Sequence, residues 1–315
     1  MPRRVLITGV NGFTGRHLAA ALGRDPDVVV LGTGRRADPA VPLAGYRPCD
    51  VADDRQVGRL VAWARPDVVY HLAAQWGDGA REELVAVNVG GFEHVRKHLR
   101  QSAAGRAVRL LVVGSAAEIG PVTPAALPLD ESVACRPTTA YGESKHALVR
   151  AALAEPADTG LAIVVARPFN LLGAGLDARL APGAFAAAVR AVARGETDTI
   201  RTGWLGARRD YLDVADAVAA YRLLVDRAAP GTLAHVCSGR SVRIGDLLER
   251  LMAVAGVQAR VIAAAEPRDH DIADIRGSHA LLTALTGWWP GVSLEESLVA
   301  LAAGGTGHAA GTGGG

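Results

Sequence analysis

The sequence predicts an α/β protein built on a doubly wound parallel sheet, with helices on both faces and a smaller C-terminal lobe. Three observations carry that expectation. Short runs rich in Val, Ile and Leu recur six times along the chain. They are continuously apolar rather than alternating, as strands buried on both faces are. Longer segments of helical period lie between them, the rhythm of parallel strands joined by crossover helices.

Taken in order, VLIT (5–8) is followed by the helical GRHLAAALGR, and VVVLG (28–32) is the second strand. VVYHLA (68–73) precedes the helical REELVAVNVGGFEHVRKHLR, and RLLVVGS (109–115) precedes YGESKHALVRAALAE. LAIVVARP (161–168), the helix DVADAVAAYRLLVDR and LAHVCSG (233–239) complete the sheet unit. From about Leu171 the rhythm changes to Gly- and Pro-containing loops, with helical pieces near 183–194, 241–255 and 293–302. The expected division is residues 1–170 plus about 208–240 for the sheet domain, and about 171–207 plus 241–302 for the smaller lobe. That lobe is expected over the carboxyl edge of the sheet, where ligands of such folds bind. The Gly-rich tail 303–315 is expected to be disordered.

With 315 residues, 50% of them hydrophobic, the chain can bury a large core. A net charge of +2 with interspersed signs leaves no basic face of the kind that neutralises a phosphate backbone, which argues against a nucleic-acid polymer as partner. No apolar run reaches the roughly 20 residues of a membrane span, and the apolar stretch after Arg3-Arg4 breaks too soon at Thr8-Gly9 for a signal peptide. Cys49, Cys135 and Cys237 are odd in number and widely spaced, with neither disulfide nor metal-ligand spacing. A reducing cytoplasm fits them.

RVLITGVNGFTGRHL places Gly9, Gly12 and Gly15 between a strand and a helix. Gly9 would permit the tight turn, Gly12 the approach of a pyrophosphate and Gly15 close helix packing, with the helix N-terminal amides facing the phosphates. Asn11, Phe13 and Thr14 share that loop as candidate cofactor contacts. A dinucleotide site of the Rossmann type is expected, with a plain tight turn as the alternative. An NAD site ends its second strand on an acid that holds the ribose 2′-hydroxyl. Here VVVLGTGRRAD offers Arg35 and Arg36 instead. Two guanidiniums suit a 2′-phosphate, so NADP(H) is expected over NAD(H); a solvated pair of loop arginines is the alternative.

The chain uses 32 arginines and only two lysines, Lys97 and Lys145. Lys145 stands one helical turn after Tyr141, so both project from one helix face. Five tyrosines and two lysines would meet at that spacing by chance about 0.03 times in 315 residues. An ammonium about 6 Å from a phenol, at an effective dielectric of about 20, stabilises the phenolate by roughly 3 kcal/mol, or about two pK units. That predicts a Tyr141 with a lowered pKa, usable as acid or base, and a slim lysine able to donate to ribose hydroxyls.

TGVNGFTG, HLAAQ, GSAAEIG, YGESK, ARPFN and RRDYLDVADAV, in this order, resemble the extended short-chain dehydrogenase/reductases, in the branch that modifies nucleotide sugars. RPFN, RRDYLDV and HVCSGRSVRIGDLL resemble most the GDP-mannose 4,6-dehydratase and GDP-6-deoxymannose 4-ketoreductase group. The resemblance spans about Arg4 to about Leu301. It implies that Ser115 completes a catalytic set with Tyr141 and Lys145, hydrogen-bonding the sugar oxygen that Tyr141 protonates. It implies Asp50 and Val51 at the adenine, Leu72, Ala73 and Ala74 along the diphosphate and ribose, and Gln75, Ser115, Asn170, Arg209 and Arg268 at the sugar nucleotide. A homodimer through the helices near 82–100 and 141–155 is implied by the resemblance alone.

Dehydratases of this branch carry an acid within the two positions after the Ser/Thr, typically as Asp-Glu or Ser-Glu; here Ala116 and Ala117 stand there, with Glu118 one step on. An epimerase retains its cofactor, usually NAD, whereas a net reductase exchanges NADP⁺ for NADPH, and Arg35 and Arg36 favour the reductase. The expectation is therefore NADPH-dependent reduction of a nucleotide-linked 4-keto-6-deoxyhexose. A nucleotide-sugar 4-epimerase is the alternative, a 4,6-dehydratase stands behind both, and a non-catalytic NADP(H) sensor is the alternative of another class. Ile119, where relatives carry a sugar-contacting Tyr, and the short WGDGAREELVAV segment are departures expected near the hexose. No metal site is expected: His94 and His98 read as a solvated helix face, and Asp210, Asp213 and Asp216 as charges at a helix N-terminus. Trp288-Trp289 read as a packing anchor for the last helix.

Overall fold

The computed structural model describes residues 1–77, 79–102, 107–156, 158–266 and 272–304. Its strands are β1 (Arg3–Thr8), β2 (Val28–Gly34), β3 (Gly45–Pro48), β4 (Val68–His71), β5 (Val108–Val113), β6 (Leu161–Pro168) and β7 (Asn170–Leu172). They continue as β8 (Thr199–Thr202), β9 (Arg208–Asp213), β10 (Leu233–Val236), β11 (Ser241–Arg243), β12 (Arg260–Ala263) and β13 (Asp274–Ile275). The helices are α1 (Phe13–Leu22), α2 (Asp54–Ala64), α3 (Arg81–Val85), α4 (Gly91–Ser102) and α5 (Ala140–Leu153). After them come α6 (Ala181–Ala193), α7 (Val214–Arg227), α8 (Ile244–Val254), α9 (Ala280–Thr286) and α10 (Leu294–Ala303).

Seven strands form one parallel sheet in the order β10-β6-β5-β4-β1-β2-β3. The order reverses at β1, so the loops after β1 and β4 diverge and leave a crevice at the carboxyl edge. Burial on both faces explains the continuous apolar runs. Val5, Ile7, Val68, Tyr70, Leu111, Val164 and Ala166 face one core with residues of α1, α7 and α9. The residues between them, Leu6, Val69, Leu110, Val112, Ile163 and Val165, face another with α2, α4 and α5. A third core, around Phe185, Leu247, Leu251 and Leu298, fills the smaller lobe between α6, α8 and α10.

Each of the six strands expected from the apolar runs is present, though three stop two or three residues short of the run's end. Three elements packed in the large unit lay outside the expectation: α9, whose Leu282 joins the first core, the strand β3 and the helix α2. The edge strand β3, GYRP, is short, partly exposed and lacks β-branched residues. In α2, Asp53 caps the first turn by accepting from Arg55 N at 2.9 Å and Gln56 N at 3.0 Å, and Val57, Leu60, Val61 and Ala64 are buried at helical spacing. The stretch 208–240 divides: β10 joins the large sheet, while β9 pairs with β7, β11 and β13 in a separate four-stranded sheet. Pairing to the short β7, directly after β6, draws β9 out over the carboxyl edge and carries Arg209 with it.

Candidate active site

At the carboxyl edge lies a cavity of about 1140 Å³, which extends between the large sheet and the smaller lobe. Every residue expected at a cofactor or sugar lines it except Arg268, which lies outside the described residues. The β1–α1 turn forms one wall. Gly9 has φ +69°, and a Cβ there would sit 2.8 Å from the Cα of Ala73. A Cβ on Gly15 would lie 2.4 Å from the Gly9 carbonyl, so α1 packs onto the turn only because Gly15 has none. Gly12, the exposed N-cap of α1, makes no side-chain cap and has no acid in the turn after it. The first amides of α1 therefore face the cavity with the positive end of the helix dipole, which suits a phosphate.

Arg35 and Arg36 follow β2, exposed on the cavity rim, and no ion pair holds either guanidinium among the described residues. Their loop is braced from below. Asn11 donates to Asp38 O at 3.2 Å and accepts from Ala40 N at 2.7 Å, and Tyr46 donates to Arg36 O at 2.7 Å. Asn11, expected as a cofactor contact, therefore lines the cavity while also fixing the arginine loop. Beyond β3, Val51 is buried against Gly91, and Asp50 accepts from Ala52 N at 3.0 Å.

The loop after β4 is held from two sides. Ala73 N donates to Thr8 Oγ1 at 3.1 Å, and the same hydroxyl meets His71 Nδ1 at 3.0 Å. Burial, and then Lys145, push the His71 imidazole down to about 3, so it is neutral. Asn88 clamps Gln75, accepting from its N–H at 2.8 Å and donating to its carbonyl at 2.9 Å. It also donates to Ser144 Oγ at 2.9 Å, tying the loop to α5. Asn88 lies in a π-turn, Ala86–Gly90, that joins α3 to α4. The sequence reading missed it; a lone Asn before two glycines inside a helical run was the available signal.

Thr139 caps α5, accepting from Gly142 N at 3.0 Å, and aims Tyr141 and Lys145 into the cavity beside Ser115. Ser115 caps the following turn: its Oγ accepts from Ala117 N at 3.2 Å, and its N–H donates to Glu118 at 2.7 Å. The electrostatics differ from the expectation. Burial pushes the Tyr141 phenol up to about 12, and a hydrogen bond from Ser115 offsets this only in part. Lys145, buried and brought down to about 8 by desolvation, donates from Nζ to the Val113 carbonyl at 2.6 Å. Desolvation of the phenolate outweighs the hydrogen bond from Ser115, so Tyr141 is protonated at pH 7.

The opposite end is lined by Asn170, Arg209 and the loop before α6. Asn170 donates to Asp210 O at 3.1 Å, and Arg209 donates to the Ile272 carbonyl at 2.6 Å. Trp76, after β4, stacks under Arg179 with Cζ 4.1 Å from the ring, and Asp177 holds that guanidinium through both carboxylate oxygens. This bridge across the cavity mouth was not foreseen. Ala116 and Ala117 line the cavity but Glu118 does not; it is fully buried and paired to Arg167 at 2.9 Å. Ile119 is likewise buried, among Leu129, Phe169 and Cys237, so its departure from the family pattern lies in the core rather than at a sugar.

The remaining polar groups are structural, with one addition. His94 meets Val51 O at 2.9 Å and His98 meets Asp54 at 3.0 Å, which joins α4 to α2 rather than leaving a solvated face. Asp213 caps α7 and Asp216 lies in its first turn, both as expected, with Asp216 also accepting from the amides of Gly291 and Val292, whereas Asp210 binds the amides of Ser238, Gly239 and Gly277. Trp288 anchors to α7, donating to Asp216 O at 3.0 Å, while Trp289 is exposed. Glu118, Cys135 and His146 bring ligand atoms within 4.8 Å of one another, a grouping absent from the sequence reading, with the Arg167 guanidinium already on Glu118.

Residues 5–237 match the NAD dependent epimerase/dehydratase family. The chain belongs to that family. It is 30% identical over 310 residues to the GDP-6-deoxy-D-mannose reductase of Pseudomonas aeruginosa, covering 96% of each chain. It is 32% identical over 316 residues to the UDP-glucose 4-epimerase of Streptomyces lividans, covering 92% of each. Among solved structures it superposes on RMD from Pseudomonas aeruginosa complexed with NADPH with a TM-score of 0.84, at 29% identity and covering 96% and 98% of the two chains. Among the described residues, no helix is long and apolar enough to cross a membrane.

Proposed function

We propose that this family member is an NADPH-dependent 4-ketoreductase acting on a nucleotide-linked 4-keto-6-deoxyhexose. The observation that carries the reading is one cavity lined by Ser115, Tyr141 and Lys145 together with the exposed Arg35 and Arg36. NADPH fits the wall as built: α1 starts behind a bare Gly12 with no side-chain cap, and the exposed guanidiniums of Arg35 and Arg36 suit a 2′-phosphate. Asp50 and Val51 would flank the adenine, and Leu72 to Ala74 the diphosphate and ribose. When bound, the reduced nicotinamide supplies a hydride to C4 of the sugar.

The chain's own residues then do the rest. Ser115 holds the C4 oxygen, and Tyr141 gives it the phenolic proton as negative charge develops. A phenol raised to about 12 is protonated at working pH and is still a stronger acid than a sugar hydroxyl. Lys145 anchors the ribose. Asn170, Gln75, Arg209 and Arg268 are the proposed contacts of the sugar nucleotide, and two of them are guanidiniums suited to its diphosphate. Ala116 and Ala117, with Glu118 committed to Arg167, leave no acid beside Ser115 to expel a C6 hydroxyl.

The division of labour belongs to the same proposal: residues 1–170 with α7 and β10 hold the cofactor, and the smaller lobe, with β7 and β9 over the sheet edge, holds the sugar nucleotide. We also propose a cytoplasmic homodimer through α3, α4 and α5, where Val85 and Leu153 are exposed. The test is NADPH oxidation by the purified protein over a panel of nucleotide-linked 4-keto-6-deoxyhexoses, with NADH in parallel. Oxidation of NADPH by one of them supports the reading. Interconversion of a nucleotide sugar with its C4 epimer, without net oxidation, would assign instead an activity of the kind named for the Streptomyces lividans UDP-glucose 4-epimerase.

A further inference from the structure

Tyr221 lies in the middle of α7, fully buried, in the same core cluster as Leu111 of β5 and Val164 and Ala166 of β6. A Phe would fill that core equally well. The Tyr221 hydroxyl, however, has no hydrogen-bond partner among the described residues, although buried phenols almost always find one. The residue also lines the cavity, so the buried hydroxyl lies next to the space a ligand would fill. Its phenol is raised above the ordinary value first by burial and then by Tyr141, which places the two tyrosines near one another.

Their approaches are opposite. Tyr141 comes from α5, on the face of the sheet covered by α2 and α4, and Tyr221 from α7, on the face covered by α1. On the reading above, hydride transfer takes place beside Tyr141, the phosphates belong at Gly12 and the 2′-phosphate at Arg35 and Arg36. The nicotinamide ring carries one hydrogen-bonding substituent, a carboxamide with both a carbonyl and an amide N–H. A phenol can donate to the first or accept from the second.

We propose that the Tyr221 hydroxyl binds the nicotinamide carboxamide and so fixes the ring from the face opposite Tyr141. The inference rests on the cofactor reading above and is tested separately from it. Tyr221→Phe removes only the hydroxyl. Dissociation constants for NADPH and for 2′-phospho-ADP-ribose, which lacks the nicotinamide, are measured by calorimetry on both proteins, together with the melting temperature without ligand. The expected result is a roughly fivefold weaker NADPH complex, unchanged 2′-phospho-ADP-ribose binding, and a ligand-free melting temperature equal to or above wild type, because an unsatisfied buried hydroxyl has gone. Unchanged NADPH affinity, or an equal loss for both ligands, would overturn the proposal. So would a lower ligand-free melting temperature, since the hydroxyl would then have a partner within the protein. Failure of wild type to bind NADPH at all would instead remove the cofactor reading.

Discussion

The end of the cavity lined by Gly12, Arg35 and Arg36 is made of two contiguous turns on consecutive strands, whereas the end lined by Asn170 and Arg209 is assembled from segments far apart in the chain. In the first, each residue type follows from backbone geometry: a positive φ at Gly9, a helix packed onto Gly15, amides at the start of α1. In the second, position depends on how the lobe folds over the sheet, and Trp76 and Arg179 meet only because the loops after β4 and β7 converge. A site built on local geometry is general to a cofactor; one built on tertiary convergence is where substrate choice resides.

Tyr141→Phe lies between the two ends and should separate them most sharply. Ketoreductase turnover is expected to fall by about 10²- to 10⁴-fold, with NADPH affinity unchanged in a binding titration. Glu118→Gln should act on neither end. It leaves the buried Arg167 without its carboxylate, so a loss of about 3 kcal/mol in denaturant unfolding is expected. Arg35→Ala with Arg36→Ala should weaken NADPH by tens-fold, two charge-assisted contacts being lost, and leave NADH binding unchanged. An equal loss for both cofactors would break the comparison, because the arginines would then be bracing the loop rather than reading a 2′-phosphate.

The smallest effect is expected from pH. Lys145 is lowered to about 8, so its ammonium is intact below that pH and is lost as pH rises through it, while Tyr141, near 12, stays protonated. The pH profile of kcat/KM should therefore be level at neutral pH and fall several-fold above about 8, where Lys145 turns neutral. A profile level to pH 10 would mean that the Lys145 charge has no part in turnover.

Legibility in the sequence followed the same divide. The six apolar runs, the glycine turn, the Tyr-Lys spacing and the arginines after β2 were readable because strand burial and helical pitch act over a few residues. α2 was readable in principle from Asp53 and the spacing of Val57, Leu60, Val61 and Ala64. Asn88 was not, since its value comes from Gln75 and Ser144, 13 and 56 residues away. Nor were the ion pair that turns Glu118 from the cavity, the Trp76–Arg179 stack and the sign of the Tyr141 shift, because each depends on burial that only the folded chain creates.

The most direct test of the central claim follows the hydride itself. The protein would be incubated with a nucleotide-linked 4-keto-6-deoxyhexose and NADPH carrying deuterium at the transferable position, and the product examined by mass spectrometry and NMR. The account predicts deuterium at C4 and one NADPH oxidised for each sugar reduced. Sugar turned over with no deuterium gained and no NADPH oxidised would contradict it.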